Sequence, residues 1–406
     1  MSTMHPPSRR ESFKTPPISG EQSQQSRRQK ALEEQKRKRE RRVEGSRHHI
    51  DLFSKLSLGP DPLSEDEDGE VEIVREGVAG MASMLPPAVP EASMEVETTD
   101  AQSVGSTSTK RKKNRKKKKS NQYADRCMYA ELLEMNGMDL QTMSDNGIPD
   151  DLQVNWIALA PVPRGKRCLA LTHSSAGNPG TGMLCICSFR SCHDHDVVPT
   201  TLHSRVRGST FLTFPSPLPP DSILDCILDV CWHDNGILHI LDVIRWHGQD
   251  IGDSEANFRF WWRDARLQEM KSVIPPAPSQ PSDNKFTYPT NFLPIPYYIP
   301  LPFQDFLQRV IPLARASRVV NIRVPNVVPT PGDDGADMDL DLPRDRLDEM
   351  SCESDGLLLY DAQASYESGT TPLSLWVPAK PLDGEYESRL DILERILIAA
   401  QTPTAV

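Results

Sequence analysis

Apolar runs of strand length recur from residue 123 onward, and turn-forming residues separate neighbouring runs. Short apolar runs bounded by turn signals are typical of buried strands. The turn Asp234-Asn235-Gly236 lies between two such runs and predicts an antiparallel hairpin. The predicted strands lie at residues 156–160, 168–172, 183–189, 223–230, 237–244, 356–360 and 373–377. This pattern predicts an α+β domain with mostly antiparallel sheets.

Two stretches of this region have helical spacing instead. Residues 388–400 carry apolar side chains three and four positions apart and predict a closing helix, while residues 303–311 form a shorter helix-like stretch. Proline dominates residues 272–343, which we interpret as an insertion that runs over a surface. The sequence therefore predicts one folded domain at 123–400 with an insertion at 272–343.

The N-terminal part of the chain has a different pattern. Residues 26–42 (SRRQKALEEQKRKRERR) are almost all strong helix formers, and Gly45 predicts the end of this helix. A short apolar pattern over residues 50–58 predicts one or two further helical turns. We interpret residues 1–60 as a basic helical segment. Residues 61–122, which are acidic and then lysine-rich, are interpreted as a disordered linker.

The net charge of −11 hides a separation of opposite charges into blocks. Within the predicted basic helix, nine basic side chains stand against three acidic ones. Few of them have an opposite charge four positions away, so an acidic groove of a partner would supply the missing neutralisation. The alternative is a solvated basic tail or a nucleic-acid contact. The basic residues are Arg27, Arg28, Lys30, Lys36, Arg37, Lys38, Arg39, Arg41 and Arg42.

The composition also bears on the class of protein. The chain has no run of about 18 apolar residues, and its polar first ten residues do not resemble a secretory signal, so we expect a soluble protein that stays inside the cell. Its 8 cysteines have no repeated spacing and are expected to be reduced thiols. We predict no membrane contact, no disulfide framework and no cofactor.

The order of these parts resembles the snurportin family. The basic helix resembles the importin-β-binding segment that opens snurportins, and several short motifs follow in the family's order. These motifs are QYADRCMYAELL at 122–133, GKRCLAL at 165–171, SILDCI at 222–227, ILDVIRW at 240–246, NFRFWW at 257–262, SDGLLLY at 354–360 and TTPLSLW at 370–376. Together they are far more specific than any one of them alone.

The resemblance implies a function, a fold and partners. Snurportins carry spliceosomal small nuclear ribonucleoproteins into the nucleus by holding the trimethylguanosine cap of the RNA. Their cap-binding domain resembles the guanylyltransferase fold of capping enzymes. We therefore expect importin-β and trimethylguanosine-capped small nuclear RNA as partners, an exportin for recycling, and shuttling between cytoplasm and nucleus.

The resemblance also implies a set of cap-binding residues. Trp376 aligns with the family's stacking tryptophan through the motif TTPLSLW, and an indole gives a cationic methylated guanine both stacking and cation–π attraction. Arg167 is the candidate for the bridging phosphates, because a guanidinium matches their geometry. Tyr129 and Ala130 stand where the family has leucine and serine, and Leu132 replaces a tryptophan. Tyr129 could add a second stacking face, and Lys166 could replace a phosphate-binding lysine.

The likeness to capping enzymes raises the question of catalysis. Those enzymes form a covalent adduct on the lysine of a K-x-D-G-x-R motif. The corresponding stretch at 160–167 keeps Gly165 and Arg167 but lacks the nucleophile and its carboxylate, and Lys166 would point to the other face of a strand. We therefore predict a protein that is not an enzyme. The alternatives are a capping-type RNA guanylyltransferase, or a nucleolar RNA-binding protein that uses the lysine-rich run 110–119.

Two further clusters have competing interpretations. The first, a group of cysteine and histidine residues, could form a zinc site. The spacing of these residues fits no standard zinc knuckle, so we favour free thiols in a loop. The second, a group of aromatic residues, could be a base-stacking platform, but we favour core packing under the sheet. The first consists of Cys185, Cys187, Cys192, His193 and His195, and the second of Trp246, Phe258, Phe260, Trp261 and Trp262.

Overall fold

The computed structural model describes residues 23–55, 121–135, 147–173, 198–270, 285–325, 345–382 and 384–401. The chain divides into two units, one formed by Met1–Arg37 with Ser120–Val406 and the other by Lys38–Lys119. The described residues of the smaller unit are all helical and continue the helix that begins at Gln24. Among the described residues, all strands and all other helices belong to the larger unit.

The larger unit is built mainly from strands. Its fourteen strands among the described residues are β1 (Met128–Leu132), β2 (Trp156–Pro163), β3 (Gly165–Thr172), β4 (Val198–Ser204), β5 (Thr210–Ser216), β6 (Ile223–Asp229), β7 (Ile237–Trp246), β8 (Gln249–Asp250), β9 (Asn291–Pro294), β10 (Tyr297–Tyr298), β11 (Arg318–Pro325), β12 (Asp345–Cys352), β13 (Ser354–Asp361) and β14 (Gly369–Pro378).

The helices are fewer and mostly short. They are α1 (Gln24–Lys55), α2 (Leu152–Asn155), α3 (Trp232–Asn235), α4 (Ala256–Glu269), α5 (Phe303–Asp305) with a π-helical turn (Phe306–Val310) that leads into α6 (Ile311–Arg315), and α7 (Arg389–Gln401). None of the described helices has both the length and the apolar character that a bilayer crossing requires.

The strands form two large sheets and a two-stranded ribbon. The first sheet has the order β1-β14-β13-β2-β10, and the second has the order β5-β4-β3-β6-β7-β8 with β9 beside β7. The ribbon consists of β11 and β12. Only the pairs β1–β14 and β7–β9 among the described strands are parallel. The predicted class, α+β with mostly antiparallel sheets, is confirmed.

The core lies in layers on and between the two sheets. One cluster joins Leu159, Leu358 and Trp376 of the first sheet to Ile227 and Leu241 of the second, so it fills the space between them. On its other face, the first sheet packs against the helical run Phe303–Arg315 and α7. Because successive strand residues point to opposite faces, each central strand contributes to two of these layers.

Most of the strands expected from apolar runs are present. The predicted hairpin is formed by β6 and β7, with the short helix α3 in the connection and Gly236 in the left-handed conformation (φ 62°). Apolar side chains of the closing helix, α7, are buried against the first sheet, as its spacing indicated. The strand expected at 183–189 lies outside the described residues.

Two boundaries differ from the sequence expectation. Helix α1 passes through Gly45 and ends at Lys55, because one interior glycine costs only about 1 kcal/mol and strong helix formers flank it. Residues 285–325, expected in a surface insertion, add strands β9 and β10 to the two sheets and bury Ile295 in the layer between them. Proline is compatible with strands at edges and ends, where no ladder donor is needed.

Candidate nucleic-acid interface

Trp376 lies in the layer between the two sheets. Its strand, β14, is flanked by β1 and β13, where Leu132 and Leu358 are its register partners. The indole packs among apolar side chains of both sheets and is only 5% exposed. Trp376 therefore lies in a layer to which both sheets contribute, and its indole face is covered in this arrangement.

Arg167 points into the same protein interior from strand β3. Its Nε and Nη2 donate to Oδ1 and Oδ2 of Asp225 at 3.0 and 2.7 Å, and Asp225 is fully buried. Burial acts to lower the pKa of Arg167, but the charge and hydrogen bonds of Asp225 raise it well above its ordinary value. Arg167 is thus a permanent cation whose charge Asp225 already neutralises.

A buried hydrogen-bond network extends from this ion pair to the first sheet. The hydroxyl of Tyr366 donates to Oδ2 of Asp225 at 2.6 Å and accepts from the main-chain N–H of Met128 at 2.9 Å. Tyr360, which packs in the same cluster as Trp376, has a pKa raised to about 12 by burial, while the charge of Arg167 opposes that shift. The network therefore links Arg167 to the layer that holds Trp376.

The remaining cap-binding candidates divide between two faces of their strands. Ala130 packs in the cluster of Trp376, whereas Tyr129 packs on the opposite face of β1 with Cys127 and Leu169. The hydroxyl of Tyr129 donates to the carbonyl of Arg205 at 3.1 Å. The structure thus brings Ala130 to Trp376, and it places the Tyr129 ring in a different cluster.

Lys166 lies on the exposed face of β3, with its Nζ 3.6 Å from the centre of the Phe211 ring. Its neighbour Arg167 points inward, as alternation along a strand requires. The segment that the sequence compared with the lysine motif of capping enzymes becomes the end of β2, the turn at Arg164 and the start of β3. Lys166 and Arg167 therefore offer their charges to different sides of the sheet.

The basic helix α1 contacts the folded unit through its first half. Arg27 and Arg28 both touch the domain, and Arg28 is buried with its guanidinium carbon 5.4 Å from the centre of the Trp156 ring. Lys30, Lys36 and Arg37 are exposed. The proposed importin-binding residues Lys38, Arg39, Arg41 and Arg42 continue along the same helix.

Helix α4 buries two arginine side chains and exposes two aromatic ones, whereas arginine is usually exposed and aromatic side chains are usually buried. Arg259 is fully buried and bonds Asp242 through Nε and Nη2, and Arg263 donates to the carbonyls of Leu241 and Ile295. Sequence reasoning missed these pairs and the pair of Arg167 with Asp225. The available signal was a lone aspartate inside each apolar run, ILDCI and ILDVI, because a buried carboxylate needs a partner.

The aromatic residues of α4 were expected in the core, and for two of them that expectation is wrong. Phe258 and Trp261 are 41% and 54% exposed, while Phe260 is buried. The segment is a helix, so its aromatic side chains are distributed around the helix axis and do not all point to the same side. Phe258, Trp261 and Trp262 contact one another, and their ring centres lie 5.6 to 6.3 Å apart.

Asp229, His239 and Cys352 form a buried group whose donor atoms could hold a metal ion, since these atoms lie within 4.8 Å of one another. The hydrogen bonds favour a structural network instead. Asp229 accepts from the Cys231 main chain, Asn235 and His239 at 2.8 to 2.9 Å, and the cation Arg318 lines the same pocket. Burial raises the pKa of Cys352 to about 12 and keeps its thiol protonated. The cysteine and histidine cluster at 185–195 lies outside the described residues.

Comparison with known protein families identifies this domain. Residues 142–294 match the family model described as Snurportin1, m3G cap-binding domain. The matched range contains β2 to β9 and helix α4, and thus includes Arg167, Lys166 and the buried pair at Asp225. Trp376, Tyr129 and helix α1 lie outside it. Over these residues, the chain is similar to the cap-binding domain of the snurportin family.

Proposed function

We propose that this protein is a nuclear import adaptor that binds the trimethylguanosine cap of spliceosomal small nuclear RNAs and links the particle to importin-β. The observation that carries the proposal is the match of residues 142–294 to the Snurportin1 m3G cap-binding domain. The adaptor role is supported by the charge of helix α1, with nine basic and three acidic residues over 27–42. The protein would shuttle between cytoplasm and nucleus, with an exportin for its return.

The cap would be held in the layer between the sheets. A methylated guanine is flat and carries a delocalised positive charge, so the face of Trp376 would provide stacking and cation–π attraction. Because the indole is 5% exposed, the layer has to open before a base can stack on it. Ala130, in the same cluster, would border the base with a small apolar side chain.

The phosphate bridge would lie toward cationic side chains of β3. Lys166 is exposed and its ammonium group is held above Phe211, so it can approach a phosphate without losing a buried partner. Arg167 is committed to Asp225 through two nitrogens, so a phosphate would have to share its charge with that carboxylate. Because Arg167 faces the layer that holds Trp376 and Lys166 faces the other side of β3, we keep Arg167 as the contact nearest the base and assign Lys166 only to phosphates that extend beyond that layer.

The proposed function is binding without a covalent step. Guanylyl transfer needs a lysine amine as nucleophile at the K-x-D-G position, and residues 160–167 have no lysine–aspartate pair in that arrangement. Lys166 stands over an aromatic ring on the exposed face of its strand, one residue before Arg167. An adaptor needs only to hold the cap, so the absence of this pair is compatible with the proposal.

A three-way binding comparison tests the proposal. RNA oligonucleotides of one sequence with a trimethylguanosine cap, a monomethylguanosine cap or no cap are titrated into the full chain at physiological salt. We expect the trimethylated cap to bind tightest, because two methyl groups remove donor hydrogens and favour apolar contacts. Equal binding of all three RNAs, lost at higher salt, would instead support an RNA-binding protein that relies on lysine residues. A lysine-linked GMP adduct after incubation with labelled GTP and magnesium would support the enzyme alternative.

A further inference from the structure

One face of the basic helix α1 is buried against the folded domain. Gln24, Arg28 and Gln35 are all buried, although each is polar. The two glutamines are eleven residues apart, which corresponds to three turns of an α-helix, so they lie on the same side of α1. Residues 24–37 belong to the same compact unit as the domain. The face is therefore a contact surface rather than a solvated one.

At its start, the helix is held by a side-chain amide that pairs with the main chain of the domain. Gln24 donates from Nε2 to the carbonyl of Leu132 at 3.1 Å, and its Oε1 accepts from the N–H of Glu134 at 3.1 Å. Leu132 is the last residue of β1, an edge strand of the first sheet. Gln24 thus satisfies main-chain groups at the end of β1, which has no second neighbouring strand among the described residues.

Three turns later, a second amide repeats this arrangement on another segment. The N–H of Ser365 donates to Oε1 of Gln35 at 2.9 Å, and Nε2 of Gln35 donates to the carbonyl of Ser365 at 3.4 Å. Ser365 lies between β13 and β14 and precedes Tyr366, which bonds Asp225. The helix is thus fixed at two points that belong to different parts of the domain.

Between these points, the domain presents acidic groups to the basic helix. Nη2 of Arg27 lies 2.8 Å from carboxylate oxygens of both Glu131 and Glu134. Burial lowers the pKa of Arg28, while the charges of Asp151, Asp150 and Asp361 oppose that shift. The surface under the helix is therefore acidic. An importin-type partner is expected to bind the same helix in an acidic groove, so the two surfaces have the same charge.

We infer that residues 24–37 form an intramolecular latch that competes with importin-β for the basic helix. We call its docking site the latch surface, defined by Glu131, Leu132, Glu134, Trp156 and Ser365. In the latched state, Arg27 and Arg28 contact the domain, so a receptor can bind them only after the helix has been released. The apparent affinity of the receptor is therefore its intrinsic affinity multiplied by the fraction of molecules that are unlatched. The identity of the receptor rests on the proposed function, whereas the latch itself rests on the contacts of the chain.

The two glutamines allow a test that leaves every basic residue in place. The variant Gln24→Ala with Gln35→Ala removes both amide contacts and leaves the charge unchanged. Gln29→Ala is the matched control, since Gln29 is an exposed glutamine of the same helix. Glu134→Lys is a second variant on the domain side, because it repels Arg27 from a partly exposed position.

Hydrogen–deuterium exchange of the full chain reports the latch without any partner. The main-chain amides of Glu134 and Ser365, which donate to the two glutamines, should exchange at least about tenfold faster in the double variant and unchanged in Gln29→Ala. Importin-β titration should then show roughly tenfold tighter binding to the double variant and to Glu134→Lys, with no change for Gln29→Ala.

The outcomes separate the latch from the proposed function. If the double variant leaves the exchange of Glu134 and Ser365 unchanged, the latch does not exist. If exchange rises but the importin-β affinity stays the same, docking does not compete with the receptor and the inference is overturned. If no form of the full chain binds importin-β, the proposed function fails, while the exchange result still decides whether the helix docks.

Discussion

Arg167 and Asp225 form a bidentate ion pair between neighbouring strands of the second sheet, with Nη2 and Oδ2 2.7 Å apart and the carboxylate fully buried. Two charges placed away from water are tolerated because each satisfies the other and Tyr366 adds a further hydrogen bond. The pair joins strands β3 and β6, which lie inside the family-matched range. It is therefore a structural element of the family-matched domain as well as a neighbour of the proposed site.

Replacing Asp225 should destabilise the domain strongly. The variant Asp225→Ala leaves the guanidinium of Arg167 buried without its carboxylate, and loss of one partner of such a pair costs about 3–5 kcal/mol. Urea unfolding followed by circular dichroism measures the change. The control Glu387→Ala breaks the exposed pair with Arg395 and should leave the unfolding midpoint almost unchanged. A midpoint for Asp225→Ala equal to that of the parent would contradict the proposed importance of the pair.

Acidification should weaken the fold through His239. Burial lowers its pKa from 6.5, so the folded state favours the neutral ring more than the unfolded chain does. The unfolded state therefore binds more protons at pH values below about 6.5, and stability falls as the pH decreases from there. The pKa of Asp229 is also lowered from 3.8, because its hydrogen bonds with His239 and Asn235 outweigh the effect of burial, so a second loss follows below that value.

Urea unfolding at a series of pH values from 7.5 to 5 measures the contribution of His239. The substitution His239→Gln keeps a side-chain donor for Asp229 but removes the titrating ring. The midpoint of the variant should depend less on pH than that of the parent in this range. Parallel pH profiles for the two proteins would show that another group causes the loss.

Replacing Trp376 should weaken capped RNA much more than uncapped RNA. Loss of one stacking contact, about 1 to 3 kcal/mol, corresponds to a roughly five- to hundredfold lower affinity for the trimethylguanosine cap. Because the indole is buried, Trp376→Ala also costs stability, so Trp376→Phe is measured beside it to keep most of the apolar volume. The phenylalanine variant should show an intermediate affinity.

The exposed Trp261 provides a matched control for this measurement. Trp261→Ala removes an indole outside the inter-sheet layer and should leave the cap affinity unchanged. If Trp376→Ala remained folded by circular dichroism and bound the trimethylguanosine cap as tightly as the parent, the pocket would have to lie elsewhere. A loss in Trp261→Ala of the same size would point to the exposed aromatic face of α4.

Charge reversal in the second half of the basic segment should abolish importin-β binding. The variant changes Arg37, Arg39, Arg41 and Arg42 to glutamate and removes most of the positive potential that an acidic groove would recognise. Binding of the full chain to importin-β at physiological salt measures the effect. The matched control reverses the four lysines at 116–119, which changes the net charge by the same amount. Equal losses in both variants would indicate non-specific attraction instead of recognition of the helix.

Local patterns in the sequence determined much of the secondary structure. The apolar runs at 156–160, 223–230 and 237–244 became β2, β6 and β7, because strand residues in a two-faced core have to be apolar over short stretches. The composition of residues 26–42 predicted a helix, since nearly every residue there favours one. The resemblance to a family, too, came from ordered short motifs, four of which lie within the matched residues 142–294.

Only the tertiary structure decided which polar groups meet. Arg167 and Asp225 are 58 residues apart, and Gln35 and Ser365 are 330 residues apart, so no local spacing relates them. The burial of Trp376 also depends on long-range packing, because the second sheet covers β14. Trp261 is exposed because it lies on the side of α4 that faces away from the sheet. The sequence by itself determined several central strands and the basic helix, because the apolar runs and helix-forming residues that specify them are local. The pairing of buried charges and the docking of the basic helix are set by long-range packing.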